Sequence, residues 1–425
     1  MKLTRRHALC CSAALAAGLF TGLTDRARAA LPLADGLRNP CRGALPIELA
    51  RHDLVLQAFD GIDTSLLCDV HAHLLGTGDS GSGCTVNPRM HEWWHPGDVL
   101  RRQAILNAAC VPPDAASVDR AYVQRLHGFT RDFPPGARWL LFAFDHACDD
   151  SGAVRSDWTT FHVPNDYAAR IAAEHPERFG WVASVHPYRP DAIPRLDAVL
   201  QQGASAIKWL PSAMNIGLRD PRCRPFYDRL ARTRVPLIVH CGEEKAVPGA
   251  GRDELGNPLL VRAALESGVR VVMAHAASLG KARDLDQRSQ PWRSAFELWV
   301  RLMGERESQG LLFADVSAVF QSNRSAEVGR MLLTRDDWHA RLLHGSDHPL
   351  PGVMPLYAPA QLAAAGLLDA SAVEPLRRIR EYNPLLFDFV LKRHARIGSA
   401  RWPASVFETA ATLRTSRVDG DGGTS

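Results

Sequence analysis

The sequence predicts an α/β fold, namely a (β/α)₈ barrel with a long insertion after its first strand and additional helices at its C-terminal end. Eight short apolar runs recur along the chain, and stretches with apolar residues at helical spacing lie between them. The runs are continuously apolar instead of alternating, which is typical of parallel strands that are covered on both faces. A chain of 425 residues, 46% of them hydrophobic, is large enough to bury such a core.

The predicted elements can be placed in order along the chain. The strands cover residues 66–73, 139–144, 181–186, 204–210, 236–241, 269–275, 311–316 and 341–345. Helical spacing of apolar residues is found between them at residues 166–175, 192–202, 225–232, 258–267 and 292–305. After the last strand, residues 360–393 predict two further helices.

The connection between the first two strands, residues 76–136, is too long for an ordinary βα loop. It contains Trp93 and Trp94 and a helical stretch at residues 99–108. At the carboxyl end of a barrel strand, such a connection forms either a lid or wall of the substrate site or a packed excursion on the surface. The sequence leaves both interpretations open.

The first 29 residues are typical of a secretory signal. Arg5 and Arg6 precede an uncharged run at residues 8–23, and a small-x-small cleavage site follows at residues 27–29. The paired arginines favour the twin-arginine export route, and an uncleaved membrane anchor is the alternative. We therefore expect a periplasmic protein with a signal at 1–29, a lead-in at 30–61, a barrel domain at 62–395 and a partly disordered tail at 396–425.

The charge of the mature chain gives no support to two classes of partner. The formal net charge is +4, and the signal accounts for all of it with five basic residues and one acidic residue. A chain near neutrality gives no support for binding to nucleic acid or to an anionic membrane. We expect a small-molecule substrate and no stable membrane contact after cleavage, while the oligomeric state stays open.

The cysteines do not form a recognisable framework. Seven of the nine lie beyond the signal, and an odd number without regular spacing argues against a disulfide scaffold. Cys68 and Cys241 lie within apolar runs, so we predict buried reduced thiols there. The state of the other five is open: Cys41, Cys84, Cys110, Cys148 and Cys223.

Metal-competent side chains stand near the carboxyl ends of the predicted strands. His71 and His73 are two residues apart in the first strand, so both imidazoles point to the same side. The others stand in or just after strands four, five, six and eight: Lys208, His240, His275 and Asp347. Because the carboxyl ends of barrel strands meet at one rim, we expect these side chains to form a divalent metal site.

Each of these residues, taken alone, also has a structural explanation. His275 fits a hydrogen-bonded core histidine, Lys208 a side chain that extends to solvent, and Asp347 a helix cap. Together they are hard to explain by packing, because buried charge is costly unless it is paired or bound to metal.

The ordered set of motifs resembles the amidohydrolase superfamily. It consists of His71-x-His73, Lys208, His240, His275 and the Gly-Ser-Asp-His-Pro segment at residues 345–349. The Gly-Ser-Asp-x-Pro form, Asp315-Val-Ser317 and Asn383-Pro384 resemble its amidohydrolase-related (type 2) branch. The resemblance runs from about residue 66 to residue 391.

The resemblance implies that His71, His73 and Asp347 bind a first divalent metal, for which we expect zinc. His240 and His275 would then either bind metal or hold the group that is attacked. In binuclear members a lysine on the fourth strand is carboxylated and bridges two metals, whereas many type 2 members use one. We prefer one metal. A second metal would be bound by carboxylated Lys208 together with His240 and His275. Carboxylation needs a neutral amine, and burial beside cations favours that form of lysine.

The expected activity is hydrolysis of a C–N or C–O bond in an amide, lactone or ester of a small molecule. The metal would lower the pKa of water bound to it, Asp347 would move the proton, and His275 or His240 would polarise the carbonyl. One alternative is metal-dependent, non-oxidative decarboxylation of an unsaturated or aromatic acid, because the type 2 branch contains such enzymes. Another is an inactive barrel that acts as a binding protein.

Several further residues are weaker candidates. Asp145, His146 and His186 end the second and third predicted strands and are candidates for substrate contact. Residues 243–245 are interpreted as a solvated loop. Three arginines on βα loops are interpreted as surface charge, although one of them could clamp a substrate carboxylate: Arg219, Arg252 and Arg283. An arginine that converges on the site would imply an acidic substrate.

Overall fold

The computed structural model describes residues 36–413 of the chain. The predicted signal, the first residues of the lead-in and the end of the tail that is predicted to be partly disordered, residues 414–425, lie outside this range. Within it, eight parallel strands build the barrel: β1 Cys68–His73, β2 Arg138–Phe142, β3 Phe179–Val182, β4 Ile207–Trp209, β5 Leu237–Val239, β6 Val271–Met273, β7 Leu312–Asp315 and β8 Leu342–Leu343. Each of them overlaps one of the predicted strands.

The strands form two sheets that are linked at both sides. β1, β2 and β3 pair in one sheet, and β4 to β8 pair in the other. A parallel bridge between Ala183 and Ile207 joins β3 to β4. On the other side, the Val70 N–H donates to the His344 carbonyl at 2.9 Å, and a parallel bridge joins Ala72 to His348. The eight strands therefore follow one another around a ring, and the predicted barrel is confirmed.

Alternate residues of the strands fill the barrel interior, which explains the continuously apolar runs. The interior cluster consists of Cys68, Val70, Leu140, Phe142, Val182, Ala206, Ile238, Val272 and Leu343. Their neighbours along the strands, such as Leu141, Ile207 and Val239, belong to a larger cluster that includes the helices. Both faces of each strand are buried, as the sequence pattern predicts.

Helices connect the strands throughout. Within the described residues they are α1 Ile47–Ala50, α2 Asp53–Ala58, α3 Pro96–Ala108, α4 Val118–Thr130, α5 Asn165–Glu174, α6 Ala192–Gln201, α7 Pro211–Met214, α8 Arg224–Thr233, α9 Arg262–Glu266, α10 Ala295–Gly304, α11 Ala326–Thr334, α12 Pro359–Ala364, α13 Val373–Tyr382, α14 Pro384–His394 and α15 Ala410–Leu413. None of these helices has the length and apolarity needed to cross a bilayer.

Two predictions of helices need correction. The predicted helix at residues 292–305 begins only at Ala295, because Trp292–Ser294 pairs as a short strand with Lys281–Arg283. Between residues 359 and 394 the structure has three helices instead of two. Gly366, whose φ is +72°, follows α12, and Asn383 caps α14 by accepting the Leu386 N–H.

The insertion between β1 and β2 carries α3 and α4. Its first turns are held by the buried carboxylate of Asp119, which accepts the Thr77 N–H and the Ser82 hydroxyl, both at 2.6 Å. A disulfide between Cys41 and Cys110 ties the lead-in to the C-terminal end of α3. The remaining cysteines of the described chain are buried and free, as predicted for Cys68 and Cys241.

The packed structure continues beyond the predicted domain boundary at residue 395. The Phe407 carbonyl accepts the Cys68 N–H at 3.2 Å, and the Thr409 hydroxyl donates to the Cys68 carbonyl at 2.6 Å. Phe407 and Trp402 are buried. The segment 396–413 is therefore hydrogen-bonded to the beginning of β1, and the Phe407 ring packs against His344 and Phe389.

Candidate metal centre and active-site cavity

The imidazoles of His71 and His73 meet the carboxylate of Asp347 at the carboxyl ends of β1 and β8. Nε2 of His71 lies 3.3 Å from Oδ1 of Asp347, and Nε2 of His73 lies 3.1 Å from the same oxygen. One ligand atom from each of the three residues lies within 4.8 Å of the other two. The two histidines thus point to the same side of the strand.

Asp315, at the end of β7, fixes the orientation of His71. Its Oδ2 lies 2.9 Å from Nδ1 of His71, and its Oδ1 accepts the His275 N–H at 2.9 Å. Burial raises the pKa of Asp315, but His71, His275 and Ser317 together lower it more, so the pKa lies well below its usual range. Because an ionised carboxylate only accepts hydrogen bonds, Asp315 accepts one from Nδ1–H of His71, and Nε2 of His71 is the ring nitrogen that faces Asp347.

Backbone hydrogen bonds attach the Asp347 loop to β1. The Asp347 N–H donates to the His71 carbonyl at 2.7 Å, and Oδ1 of Asp69 accepts the N–H groups of both His71 and Ser346 at 2.9 Å. Burial raises the pKa of Asp347, but His71, His73 and Lys208 together lower it more, and the result is well below the usual range. Asp347 is therefore ionised and held against the two histidines.

His240 and His275 form a second pair beside this cluster. Nε2 of His275 lies 3.2 Å from Nδ1 of His240, which is also 3.3 Å from Oε2 of Glu244. Burial and then the charge of Lys208 lower the pKa of His240 to about 3, and burial together with Arg324 holds the pKa of His275 well below its usual value. Both imidazoles are neutral near neutral pH.

The backbone at His275 is strained. His275, Ala276 and Ala277 have φ values of +39°, +52° and +48°, which non-glycine residues rarely adopt. Such conformations persist only where the surroundings fix them, here through the bond from the His275 N–H to Asp315. This turn ends β6 and places the His275 side chain at the rim of the barrel.

Lys208 on β4 is fully buried near both histidine pairs. Its Nζ lies 5.1 Å from the centre of the Phe142 ring and has no hydrogen-bond partner within residues 36–413. Burial lowers its pKa, although the charges of Asp315 and Asp347 oppose this. A buried amine without a partner is an unusual feature that packing alone does not explain.

All six predicted site residues line one cavity of about 300 Å³: His71, His73, Lys208, His240, His275 and Asp347. The rest of the wall is largely apolar, and α3 of the long insertion contributes Ala104 and Ile105 to it. Of the two interpretations of the insertion, the structure supports the wall of the site. Trp93 and Trp94 lie outside the wall and are exposed.

Residues 68–385 match the amidohydrolase family, which is three quarters of the chain. The chain belongs to the amidohydrolase family. No curated protein sequence matches this amidohydrolase.

Solved structures similar to this amidohydrolase were also found. An uncharacterised TIM-barrel protein from Bordetella bronchiseptica is 14% identical, with a TM-score of 0.44 over 73% of this chain and 94% of that one. A putative 2-pyrone-4,6-dicarboxylic acid hydrolase from Pseudomonas putida is 17% identical, with a TM-score of 0.40 over 76% and 97%. A zinc-bound amidohydrolase from Burkholderia multivorans is 14% identical, with a TM-score of 0.41 over 81% and 99%.

The residues of this amidohydrolase fit the divalent metal that the family implies. Two imidazoles and one carboxylate are a common donor set for zinc and similar ions, and burial lowers the pKa of His73, which favours the neutral ring that a metal needs. The bond from His71 to Asp315 is the support that metal-binding histidines usually have. Nε2 of His240 is buried without a hydrogen-bond partner in the described chain, so it offers one more ligand atom.

The weaker candidates from the sequence lie elsewhere in this amidohydrolase. The second- and third-strand residues do not line the cavity: Asp145, His146 and His186. The Nε2–H of His186 donates to the Met214 carbonyl at 2.8 Å, as expected of a structural histidine. The three loop arginines are also absent from the cavity wall, in agreement with their interpretation as surface charge: Arg219, Arg252 and Arg283.

Two functional candidates were missed by sequence reasoning. Glu244 was interpreted as part of a solvated loop, which fits its neighbours Glu243 and Lys245, but its own side chain is only 9% exposed and burial raises its pKa to about 7. Arg324, after β7, also lines the cavity. The only feature of the sequence that could have indicated Glu244 is its position four residues after His240. No feature of the sequence indicates Arg324.

Proposed function

We propose that this amidohydrolase is a metal-dependent hydrolase that cleaves a C–N or C–O bond in an amide, lactone or ester of a small molecule. The observation that carries the proposal is the convergence of His71, His73 and Asp347 in the wall of one cavity. A divalent metal bound by these side chains, zinc in our proposal, would supply a Lewis acid that makes water nucleophilic near neutral pH.

The other steps belong to side chains of the protein. Asp347 is ionised, so it can accept the proton of the attacking water and pass it to the leaving nitrogen or oxygen. His240 and His275 are neutral, so either can donate a hydrogen bond to the substrate carbonyl oxygen as negative charge develops on it. The apolar wall limits the water that reaches the site.

We propose one metal per chain. The donor set of His71, His73 and Asp347 is complete without Lys208, and His240 and His275 then remain for the substrate. The competing arrangement uses Lys208 as a carboxylated bridge between two metals, and the lowered pKa of Lys208 is compatible with it. Two metal equivalents per chain, together with a carbamate on Lys208, would establish that arrangement.

The experiment begins with the mature chain, whose metal content is measured by mass spectrometry. It is then screened with amides, lactones and esters, and in parallel for release of CO₂ from aromatic and unsaturated acids. We expect hydrolysis, and a loss of at least about a hundredfold in kcat in Asp347→Asn that has kept its metal, whereas the exposed Asp337→Asn should retain full activity. Turnover restricted to CO₂ release would replace hydrolysis by decarboxylation, and a chain that binds no transition metal would point to a binding protein.

We further propose that the protein is exported to the periplasm by the twin-arginine route. The paired Arg5 and Arg6 support this, and so does the Cys41–Cys110 disulfide, because such bonds persist in oxidising compartments. The test is cell fractionation of the full chain with Arg5→Lys and Arg6→Lys together. Retention of this variant in the cytoplasm is expected, and unchanged export would exclude the route.

A further inference from the structure

Arg324 is a cation of the cavity wall that lacks an ionic partner. It follows β7, is partly buried, and lines the cavity together with His275 and Asp347. One of its terminal nitrogens donates to the Ser278 hydroxyl, which fixes the guanidinium. Its Nε is buried without a hydrogen-bond partner, and no carboxylate of residues 36–413 lies within ion-pair distance of it.

Two other basic side chains of the same wall differ from Arg324 in this respect. Arg101 on α3 pairs with Asp98, and Lys245 pairs with Glu243 at 3.3 Å. Their charges are compensated before any ligand arrives. Arg324 therefore has a stronger need for an anion than Arg101 or Lys245, because a desolvated charge is costly until it is paired.

The carboxylates nearest to Arg324 are engaged elsewhere. Asp347 contacts the histidines of β1, Asp315 accepts from His71 and the His275 N–H, and Glu244 accepts two backbone N–H groups. They act on Arg324 only at longer range. A metal at the candidate centre would also neutralise the charge of Asp347, which leaves Arg324 with even less compensation.

A second unpaired donor lies close to Arg324 in the chain. The side chain of Gln321 is buried in the same wall, and its Nε2 has no hydrogen-bond partner in the described part of the chain. A carboxylate offers two oxygens, which a guanidinium and an amide can bind at the same time. The remaining wall is apolar and suits a hydrocarbon body.

We infer that Arg324, assisted by Gln321, binds a carboxylate of the substrate, and that the substrates of this enzyme are small organic acids with an apolar body. This inference rests on the proposed function, because it requires that the bond that is cleaved in the same substrate lies at the candidate metal centre. Arg324 is thus a specificity-determining residue. Arg324 should make the enzyme bind a substrate with a free carboxylate more tightly than the corresponding neutral amide or ester. This carboxylate is distinct from the bond that is cleaved.

The test uses ligands that carry a hydroxamate for the metal and a second group for Arg324. Zinc-loaded mature protein is titrated by calorimetry with 3- and 4-carboxybenzohydroxamate and with the isosteric 3- and 4-carbamoyl compounds. The native protein should bind at least one carboxylate roughly tenfold more tightly than its amide, as a charge-assisted hydrogen bond provides. Arg324→Gln should abolish this preference and leave the affinity for the amides within about twofold.

Two further variants sharpen the result. Arg324→Lys should keep part of the preference, since it retains the charge but loses the two-pronged geometry. Arg101→Gln, in the same wall but already paired, should keep all of it. The inference is wrong if the native protein does not prefer the carboxylate to the amide, or if Arg324→Gln keeps that preference. In either case, binding of the hydroxamates still supports the metal site. If no hydroxamate binds, the proposed function fails and the inference falls with it.

Discussion

Nδ1 of His71 lies 2.9 Å from Oδ2 of Asp315, and this contact joins β1 to β7 beneath the candidate metal centre. The other oxygen of Asp315 accepts the His275 N–H at 2.9 Å and the Ser317 N–H at 3.0 Å. One buried carboxylate therefore orients the imidazole of His71 and also fixes the position of the strained turn that carries His275. Both oxygens are needed for this.

We expect Asp315→Asn to weaken metal binding by roughly ten- to a hundredfold, because an amide has one acceptor oxygen and no charge to hold the proton on Nδ1 of His71. Zinc affinity is measured by competition with a chelator. The exposed Asp337→Asn is the matched control and should bind zinc as the native protein does. An unchanged affinity in Asp315→Asn would mean that the orientation of His71 does not depend on Asp315.

Gly345 provides the space in which His71 sits. A Cβ at this position would lie 2.7 Å from Cβ of His71 and 3.5 Å from Cβ of Asp315. Gly345→Ala should therefore displace His71 and lower both zinc affinity and the free energy of unfolding, the latter by about 1 to 3 kcal/mol as in other overpacked cores. Gly43→Ala, whose new Cβ meets nothing within 4 Å, is the control. Equal zinc affinity in the two variants would contradict this reading of Gly345.

The barrel and the metal-competent residues were predictable because each rests on a local pattern. The apolar runs mark the strands, and His71, His73 and Asp347 stand at fixed places relative to those runs. No local pattern marks Arg324, which lies on an irregular loop and acquires meaning only when β7 brings it beside the cavity. Likewise, the burial of Glu244 comes from packing against His240, which charge patterning does not reveal.

Contacts between distant parts of the chain were also beyond sequence reasoning. Cys41 and Cys110 are 69 residues apart, and neither lies in a motif that indicates a partner. The break between α12 and α13 depends on a loop at Gly366 that one glycine alone does not predict. The segment after residue 395 was predicted to be a partly disordered tail, because its contacts, such as the hydrogen bond from the Cys68 N–H to the Phe407 carbonyl, are made with distant parts of the chain.

The Cys41–Cys110 disulfide should contribute about 2 to 4 kcal/mol to the free energy of unfolding, since it closes a long loop in the unfolded chain. Reciprocal hydrogen bonds of 2.9 Å between Asn39 and Asn107 hold the two segments together beside it. The measurement is urea denaturation of Cys41→Ser with Cys110→Ser, in the presence and absence of dithiothreitol. Reductant should destabilise the native chain and leave the double variant unaffected. A native chain that is insensitive to reductant would show that the bond adds no stability.

Stability should also depend on pH through His146 and His162, whose rings stack with their centroids 3.8 Å apart. Burial and then the charge of His146 lower the pKa of His162 to about 4, and burial lowers that of His146. Asp145 and Arg189, which face the pair, act in opposite directions on it. In the unfolded chain both imidazoles titrate near pH 6.5, so between about pH 6.5 and 4 the unfolded state binds more protons than the folded state.

The free energy of unfolding should therefore fall as the pH is lowered from 6.5 to 4, and His162 should account for about 2 kcal/mol of this fall after allowance for its partial exposure. His162→Phe keeps a ring against His146 and removes the proton site, so its stability should depend less on pH over this interval. Chemical denaturation at half-unit steps of pH measures the difference, with pH 7.5 as the reference at which both imidazoles are neutral. If the free energies of unfolding of the native protein and of His162→Phe fall in parallel from pH 6.5 to 4, the prediction is wrong. The acid sensitivity would then arise from groups other than the stacked pair of His146 and His162.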